Sequence, residues 1–284
     1  MVQVICYLNG EFLPLAEAKI PVLDRGLIFG DGVYEVIPVY DRTPLRLDGH
    51  LARLQRSLDA LRIRNPNTAA RWTELIGELI AKHETADQSV YVHVTRGVAK
   101  RDHAFPKDLA PTVFMMSNPL STPSVEQVER GVAAVTGTDN RWFRCDIKST
   151  ALLANVLLRQ LAIDAGAAET VLLRDGFLTE GSAANIFVVK DGIIRMPPKS
   201  HLILPGITYD FIVELASGAG LQCEASDVSE SELRAADELW LTSATREVLA
   251  ITTLDGRPVG KGVPGPMFRR IHALYQAHKR PKKG

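Results

Sequence analysis

Cysteine is scarce in this chain: Cys6, Cys145 and Cys223 are odd in number and widely separated. They supply neither a disulfide framework nor the close spacing of metal ligands, and they fit a reducing compartment. A surplus of charge is also missing, since 33 basic residues face 33 acidic ones. No global field therefore draws the chain to nucleic acid or to an anionic membrane. No apolar run approaches the ~18 residues that a membrane span needs. The opening MVQVICYLNGEF alternates like a strand and lacks a charged region followed by an apolar signal core. The basic stretch HKRPKKG carries few charges for a nucleic-acid arm and is expected to be a solvated tail. These absences lead to the expectation of a cytoplasmic globular protein with no metal, nucleic-acid or membrane partner. Hydrophobic residues make up 46% of the 284, enough for a sizeable core in one large or two moderate domains.

What is present is patterned. Asn9-Gly10 lies between two strand-like stretches, 2–8 and 11–15, and is a strong hairpin signal. DRGLIFGDGVYEV reads as glycine-rich loops feeding a β-branched strand over 33–40. Leu51, Leu54, Leu58 and Leu61 recur at helical spacing after a candidate cap, Asp48, and a second helix is expected within 69–83. Period-two alternation marks 89–97, and PTVFMMS (111–117) reads as a buried strand. The proline- and serine-rich SNPLSTPS (117–124) is the best linker candidate. Beyond it the pattern predicts strands near 131–138 and 141–148 and a helix over 150–165. A strand-rich block over 169–196 and a helix from Thr208 toward Gly218 follow. Strands around 239–243 and 249–253 and a last helix near 265–278 complete the chain. Strands and helices mix without regular alternation, so two α+β domains are expected, 1–119 and 120–284.

Chemistry enters with RWFRCDIKST. Read as a strand, it places Arg144, Asp146 and Lys148 on one face and Cys145 and Ile147 on the other. Lys148 then falls where a helix capped by Ser149 or Thr150 begins. The positive end of a helix dipole suits a lysine that must serve as a neutral amine. The plain alternative is a surface lysine at a strand end. Further on, Glu180 in TEGSAANIF precedes a Gly-Ser-Ala-Ala turn into the strand 185–189. A carboxylate there is ordinarily a solvated hairpin residue. It is also the anion that keeps a pyridine ring nitrogen protonated and the ring an electron sink.

Four further groups stay open in the same way. LPGITYD and LTSATRE offer phosphate-binding backbone N–H groups, the first at a helix start and the second in a turn of small hydroxyl residues. Arg53 lies off the leucine stripe, so it reaches a phosphate or is simply solvated. Arg101 and His103 flank Asp102 in a loop, and they either grip a carboxylate or form an ordinary charged loop. Tyr34 is a core aromatic or a phenol aimed at a cofactor.

Together these segments resemble the fold-type IV pyridoxal-5′-phosphate (PLP) aminotransferases, and within them the D-amino-acid transaminases. The resemblance runs from YLNGEF to TSATRE, with DRGLIFGDGVYEV, VTRG…RDHAFP, RWFRCDIKS, TEGSAANIF, LPGIT and ELWLTS in order. It implies a two-domain α+β fold with the cofactor between the domains and the lysine on the larger, C-terminal one. Lys148 matches the Schiff-base lysine and Glu180 the partner of the ring nitrogen. Arg53, Ile207, Thr208, Ser243 and Ala244 match phosphate-binding positions, Ala244 offering only its backbone N–H. Tyr34, Arg101 and His103 match the group that receives the substrate α-carboxylate, and Tyr91 a position near the active-site wall. The resemblance further implies a homodimer acting on amino acids and keto acids. Branched-chain relatives resemble GVFEGIR where this chain reads GVYEVIP, so Pro38 stands in place of their arginine. Ala183 and Ala184, in contrast, resemble the SAAN of those enzymes. The expected activity is ping-pong transamination of D-alanine-like donors with 2-oxoglutarate. The alternatives are a transaminase of branched-chain L-amino acids or (R)-amines on the same fold, and a non-catalytic protein that binds a phosphorylated ligand.

Overall fold

The computed structural model describes residues 4–281, so the start of the expected 2–8 strand and the last three residues of the basic tail lie outside it. The chain divides into two compact units. One comprises the described residues up to Leu120, the segment Ile147–Leu152 and the chain from Arg280; the other comprises Ser121–Asp146 and Leu153–Lys279.

In the first unit, six strands among the described residues form one antiparallel sheet. Its order is β2 (Glu11–Pro14), β1 (Ile5–Leu8), β6 (Thr112–Pro119), β5 (Gln88–Thr95), β3 (Gly32–Tyr40) and β4 (Thr43–Pro44). Asn9 (φ 49°) and Gly10 (φ 111°) close the first hairpin, both in the positive-φ region its tight turn demands. Alternate residues Val33, Ile37 and Val39 of β3 share a core with Val90, Val92 and Val94 of β5. Against them lie Leu51, Leu54 and Leu58 of α2 (Leu47–Leu61) and Trp72, Leu75, Ile76 and Leu79 of α3 (Ala69–Ala81). Asp48 stands inside the first turn of α2, and Arg46 takes the cap position. A short helix, α1 (Arg25–Phe29), replaces part of the expected glycine-rich loop. Asp24 caps it through Gly26 N–H, and Gly30 ends it at φ 64°.

In the second unit, eight strands follow one another in a sheet, again among the described residues. Their order is β12 (Cys223–Ala225), β11 (Ile193–Met196), β10 (Asn185–Lys190), β13 (Glu238–Ser243), β14 (Glu247–Leu254), β7 (Val132–Thr138), β8 (Glu169–Arg174) and β9 (Phe177–Gly181). A ninth strand, β15 (Arg257–Pro258), pairs with β14 off this path. Ile186 and Val188, Leu239 and Leu241, and Leu249 and Ile251 fill its core with their alternating side chains. Helix α5 (Leu153–Asp164) packs on β7 and β8, α6 (Ile207–Gly218) on β13, and α8 (Pro266–His278) on β14. Two shorter helices, α4 (Val125–Arg130) and α7 (Glu230–Arg234), each begin with a serine capping box.

The segment bearing Lys148 differs from expectation in two respects. It belongs to the first unit, whereas the boundary at 119/120 assigned its lysine to the second domain. Hydrogen bonding explains this: Tyr34 N–H donates to the Lys148 carbonyl (2.9 Å), Thr150 N–H donates to that of Gly32 (3.0 Å), and Ser149 bridges Val33. Nor is there a strand over 141–148, which runs as turns and bends. The period-two pattern arises because Cys145 and Ile147 are buried while Arg144 pairs with Asp146 at 3.1 Å nearer the surface. Helix α5 starts only at Leu153, so Lys148 does not sit at a helix N-terminus, contrary to expectation.

Candidate active site

In the first unit, Lys148 Nζ lies 4.2 Å from the centroid of the Tyr34 ring. The lysine is held from behind by its own backbone, whose N–H donates to Ser57 Oγ at 3.2 Å. Tyr34 is out of phase with the core residues Val33 and Ile37, so it projects from the sheet face that α2 and α3 leave uncovered. Its ring stands 5.7 Å from that of Tyr91, whose hydroxyl is 3.2 Å from His93 Nδ1. Burial, aided by Tyr34, lifts the Tyr91 phenol to about 12, so the hydroxyl stays protonated. Burial also lowers the His93 imidazole, whose Nε2 finds no partner among the described residues.

Arg53 is buried, which removes its solvated reading. Its Nε and Nη2 donate to Glu35 at 2.7 and 2.8 Å, and His50 Nδ1 lies 2.8 Å from the same carboxylate. Burial opposes ionisation of Glu35, but Arg53 and His50 outweigh it and hold the carboxyl well below the usual range. Arg101 and His103 are exposed, and both lean on Phe29 of α1: the guanidinium carbon is 5.6 Å from the ring centroid and the imidazole 5.4 Å. Among the described residues, no hydrogen bond, ion pair or ring contact joins either of them to Tyr34, Tyr91 or Lys148.

In the second unit, Glu180, next to last in β9, carries a carboxylate that is buried, not solvated. Oε1 accepts from Arg141 Nη1 at 2.5 Å, and Oε2 accepts from Leu204 N–H and Asn185 Nδ2, each at 3.1 Å. Burial lifts this carboxyl to about 7, against the downward pull of Arg141. Asp139 shares the same arginine through Nε (2.9 Å) and Nη2 (2.8 Å).

Helix α6 opens at Gly206 with no side chain capping its N-terminus, and Ile207 and Thr208 form its first turn. The Ser243-Ala244 turn follows β13, with Ser243 Oγ accepting from Arg246 N–H at 3.2 Å. Just before it, the buried Thr242 Oγ1 has no hydrogen-bond partner among the described residues. Glu169 ties this turn to the one after Glu180. Its Oε2 takes Arg246 Nη1 at 3.1 Å, and its Oε1 takes Ser182 N–H at 3.0 Å and the Ser182 hydroxyl.

Residues 32–254 match the amino-transferase class IV family. The chain belongs to that family. It is 40% identical to a D-alanine aminotransferase of Bacillus licheniformis over 94% of each chain. It is 34% identical to a D-alanine aminotransferase of Staphylococcus epidermidis over 96% of each. Its structure is similar to the branched-chain amino acid aminotransferase of Escherichia coli (TM-score 0.91, 26% identity, covering 99% and 98% of the two chains). A similar match is a T.th. branched-chain amino acid aminotransferase with pyridoxamine 5′-phosphate (TM-score 0.91, 27% identity, covering 99% and 96%).

This class IV aminotransferase is a PLP-dependent enzyme on a mixed helix-and-sheet fold. Its residues fit the cofactor. One unit offers a primary amine above an aromatic ring. The other offers a buried carboxylate, an uncapped helix start and an orphaned hydroxyl on β13 beside a serine turn.

Sequence reasoning missed Arg141, Asn185, Glu169, Glu35 and His50, all of them side chains that hold candidate residues in place. A signal existed for Glu35, a charge on the core face of β3 between Val33 and Ile37, which required a buried cation beside it. Arg141 and Glu169 meet their partners only across the fold.

Proposed function

We propose that this aminotransferase acts on D-amino acids, with D-alanine-like donors and 2-oxoglutarate as the acceptor. The observation that carries this reading is the seating of Arg101 and His103 on the one ring of Phe29. A forked guanidinium and an imidazole seated on one ring are suited to gripping a carboxylate in one orientation. The relatives named D-alanine aminotransferases, at 34% to 40% identity, support it. So does Pro38, which is buried in β3 opposite Ser89 and provides no cation there. The branched-chain enzymes among the structural matches, together with Ala183 and Ala184, support the rival substrate class.

Bound PLP supplies an electron-withdrawing ring that stabilises negative charge at the substrate's Cα. The remaining work belongs to this chain. Lys148 Nζ would take up the Cα proton and later release it, serving as base and then as acid. The Tyr34 ring at 4.2 Å steadies the positive charge that Nζ gains. Glu180, whose two oxygens are fixed by Arg141 and Asn185, would hold the ring nitrogen. The N–H groups of Ile207 and Thr208 and the Ser243-Ala244 turn would hold the phosphate, as would Arg53, which Glu35 keeps in line. Arg101, His103 and the Tyr34 phenol take the α-carboxylate, and Tyr91 walls the site. The position of the carboxylate decides which enantiomer turns its Cα–H toward Lys148.

The reading includes a cytoplasmic homodimer. Leu153, Val156, Leu157 and Leu161 form an exposed apolar stripe on α5, the kind of surface that a subunit contact covers.

The test is the visible absorption band of the purified holoenzyme on separate addition of D-alanine, L-alanine, L-leucine and (R)-1-phenylethylamine. Loss of the band with D-alanine, and its return with 2-oxoglutarate, is the expected result. A response to L-leucine or to the amine alone transfers the enzyme to that substrate class. A band that no donor alters would leave only a binder of phosphorylated ligands.

A further inference from the structure

The loop that carries Arg101 and His103 leaves β5 after Thr95 and returns to β6 at Thr112. Residues 99–111 contain no helix or strand, and Lys100, Arg101 and Asp102 are consecutive charges. Left to itself such a segment samples many conformations, and a carboxylate grip built on it loses its orientation.

Helix α1 fastens this loop at its neck and in its middle. At the neck, the fully buried Asp24 accepts from Thr112 Oγ1 at 2.6 Å and pairs with Val98 in a β-bridge. Arg25 N–H donates to the Gly97 carbonyl at 2.9 Å. Gly97 itself, at φ 107°, lies so close to the Ala110 carbonyl that a Cβ would collide with it.

In the middle, the side chain of Arg25 takes over. It is 3% exposed, a cation that must be paired on every side. Nε donates to Asp31 at 2.8 Å. Nη1 donates to the main-chain carbonyls of Asp102 (2.5 Å) and Ala104 (3.4 Å), one on each side of His103. Arg96 grips the same Asp31 through Nε (2.7 Å) and Nη2 (2.9 Å) and stacks 3.8 Å from the Phe105 ring. The Phe29 ring beneath Arg101 and His103 comes from the same five-residue helix, with the Arg25 guanidinium carbon 4.8 Å from its centroid.

We propose that Arg25 is a positioning residue for substrate specificity: through Asp31 below and the Asp102 and Ala104 carbonyls above, it holds Arg101 and His103 in the arrangement that receives an α-carboxylate. This inference rests on the carboxylate role given to Arg101 and His103 above. Arginine is required because one planar fork must meet a carboxylate and two carbonyls at fixed angles, which the single ammonium of lysine does not do. Arg25 touches no substrate in this scheme. Its loss therefore weakens substrate binding more than it slows the proton transfer at Lys148.

The experiment compares Arg25→Gln, Arg25→Lys and Arg101→Leu holoenzymes with wild type, reading steady-state kinetics with D-alanine, the visible cofactor band and hydrogen exchange of residues 99–105. In Arg25→Gln, KM for D-alanine rises about tenfold or more, the loss of one charge-assisted hydrogen bond, while kcat stays within about threefold. The band is unchanged, the loop exchanges faster, and Arg25→Lys falls between the two. Wild-type KM overturns the inference, and so does a raised KM with unchanged exchange of the loop. If Arg25→Gln does not fold with cofactor, Asp31→Asn is read by the same criteria, since it releases Arg25 without removing it. Arg101→Leu separates the two levels of argument. Wild-type turnover in that variant removes the carboxylate reading itself. A crippled Arg101→Leu beside a wild-type Arg25→Gln removes only the role of Arg25.

Discussion

Glu180 and Arg141 meet at 2.5 Å with 6% and 5% of their side chains exposed, and the environment pulls the carboxyl in opposite directions. Burial raises it to about 7 from an ordinary 4.5, and Arg141 resists. Asp139, bound to the same guanidinium, weakens that resistance. A carboxyl whose folded value exceeds its unfolded one binds more protons in the folded protein between those values. Its contribution to stability is therefore present below pH 4.5 and is lost as pH rises to about 7. Urea unfolding of cofactor-free wild type and Glu180→Gln across this interval checks the sign. The wild type should lose stability relative to the variant as pH rises, and parallel profiles would contradict it.

How far this arrangement was legible in the sequence depends on the distance over which each signal acts. The Asn9-Gly10 hairpin and the leucine stripe of α2 are local patterns, and the chain folds as they indicate. Helix α1 is only five residues long and begins Arg-Gly, so no periodicity reveals it, although the Asp24 cap and Gly30 stop were present. The Lys148 segment misled because burial of Cys145 and Ile147 imitates a strand where the hydrogen bonds go instead to β3. Lys148 and Glu180 stood out as candidates from motif order. Arg141 and Glu169 did not, because each acts on a residue separated from it by many positions and no local pattern records the pairing.

Glu35 behaves in the opposite way to Glu180. Burial opposes its charge, but Arg53 and His50 prevail and depress its carboxyl below the ordinary 4.5. A depressed folded value contributes stability above 4.5 that is lost as pH falls below it. Glu35→Gln removes the anion that the buried Arg53 and His50 both face, so it should destabilise the protein by roughly 3–5 kcal/mol at neutral pH. It should also flatten the acid limb of the stability profile. A variant that loses less than about 1 kcal/mol would show that the buried Arg53 charge does not depend on the Glu35 carboxylate.

Glu169 connects the turn after Glu180 with the turn after Ser243, through Ser182 and Arg246. If those turns hold the ring nitrogen's partner and the phosphate, then Glu169 sets their spacing without touching the cofactor. Glu169→Ala should raise the dissociation constant of PLP about ten- to a hundredfold, the value of one or two charge-assisted hydrogen bonds. Arg246→Ala should do less, because Ser182 keeps its partner. In the double variant the two effects should fall short of their sum, since both act through one contact. Strict additivity in PLP affinity would mean that the turns are independent.

Gly206 has a φ of −67°, which any residue adopts, so its need for glycine is steric and not conformational. Asn185 Oδ1 stands where a Cβ on Gly206 would be, while its Nδ2 donates to Glu180 at 3.1 Å and to the Leu204 carbonyl at 3.0 Å. An alanine at 206 must push this amide away and takes a hydrogen bond from Glu180 as it does so. Overpacking of this kind costs about 1–3 kcal/mol. Asn185→Ala empties the same space and loses the same bond. Placed on top of it, Gly206→Ala should therefore add little, and the double-mutant cycle should show strong coupling in thermal unfolding. A full additional cost for Gly206→Ala in the Asn185→Ala background would locate the obstruction elsewhere, with the Tyr209 Cβ at 3.2 Å the next atom in line.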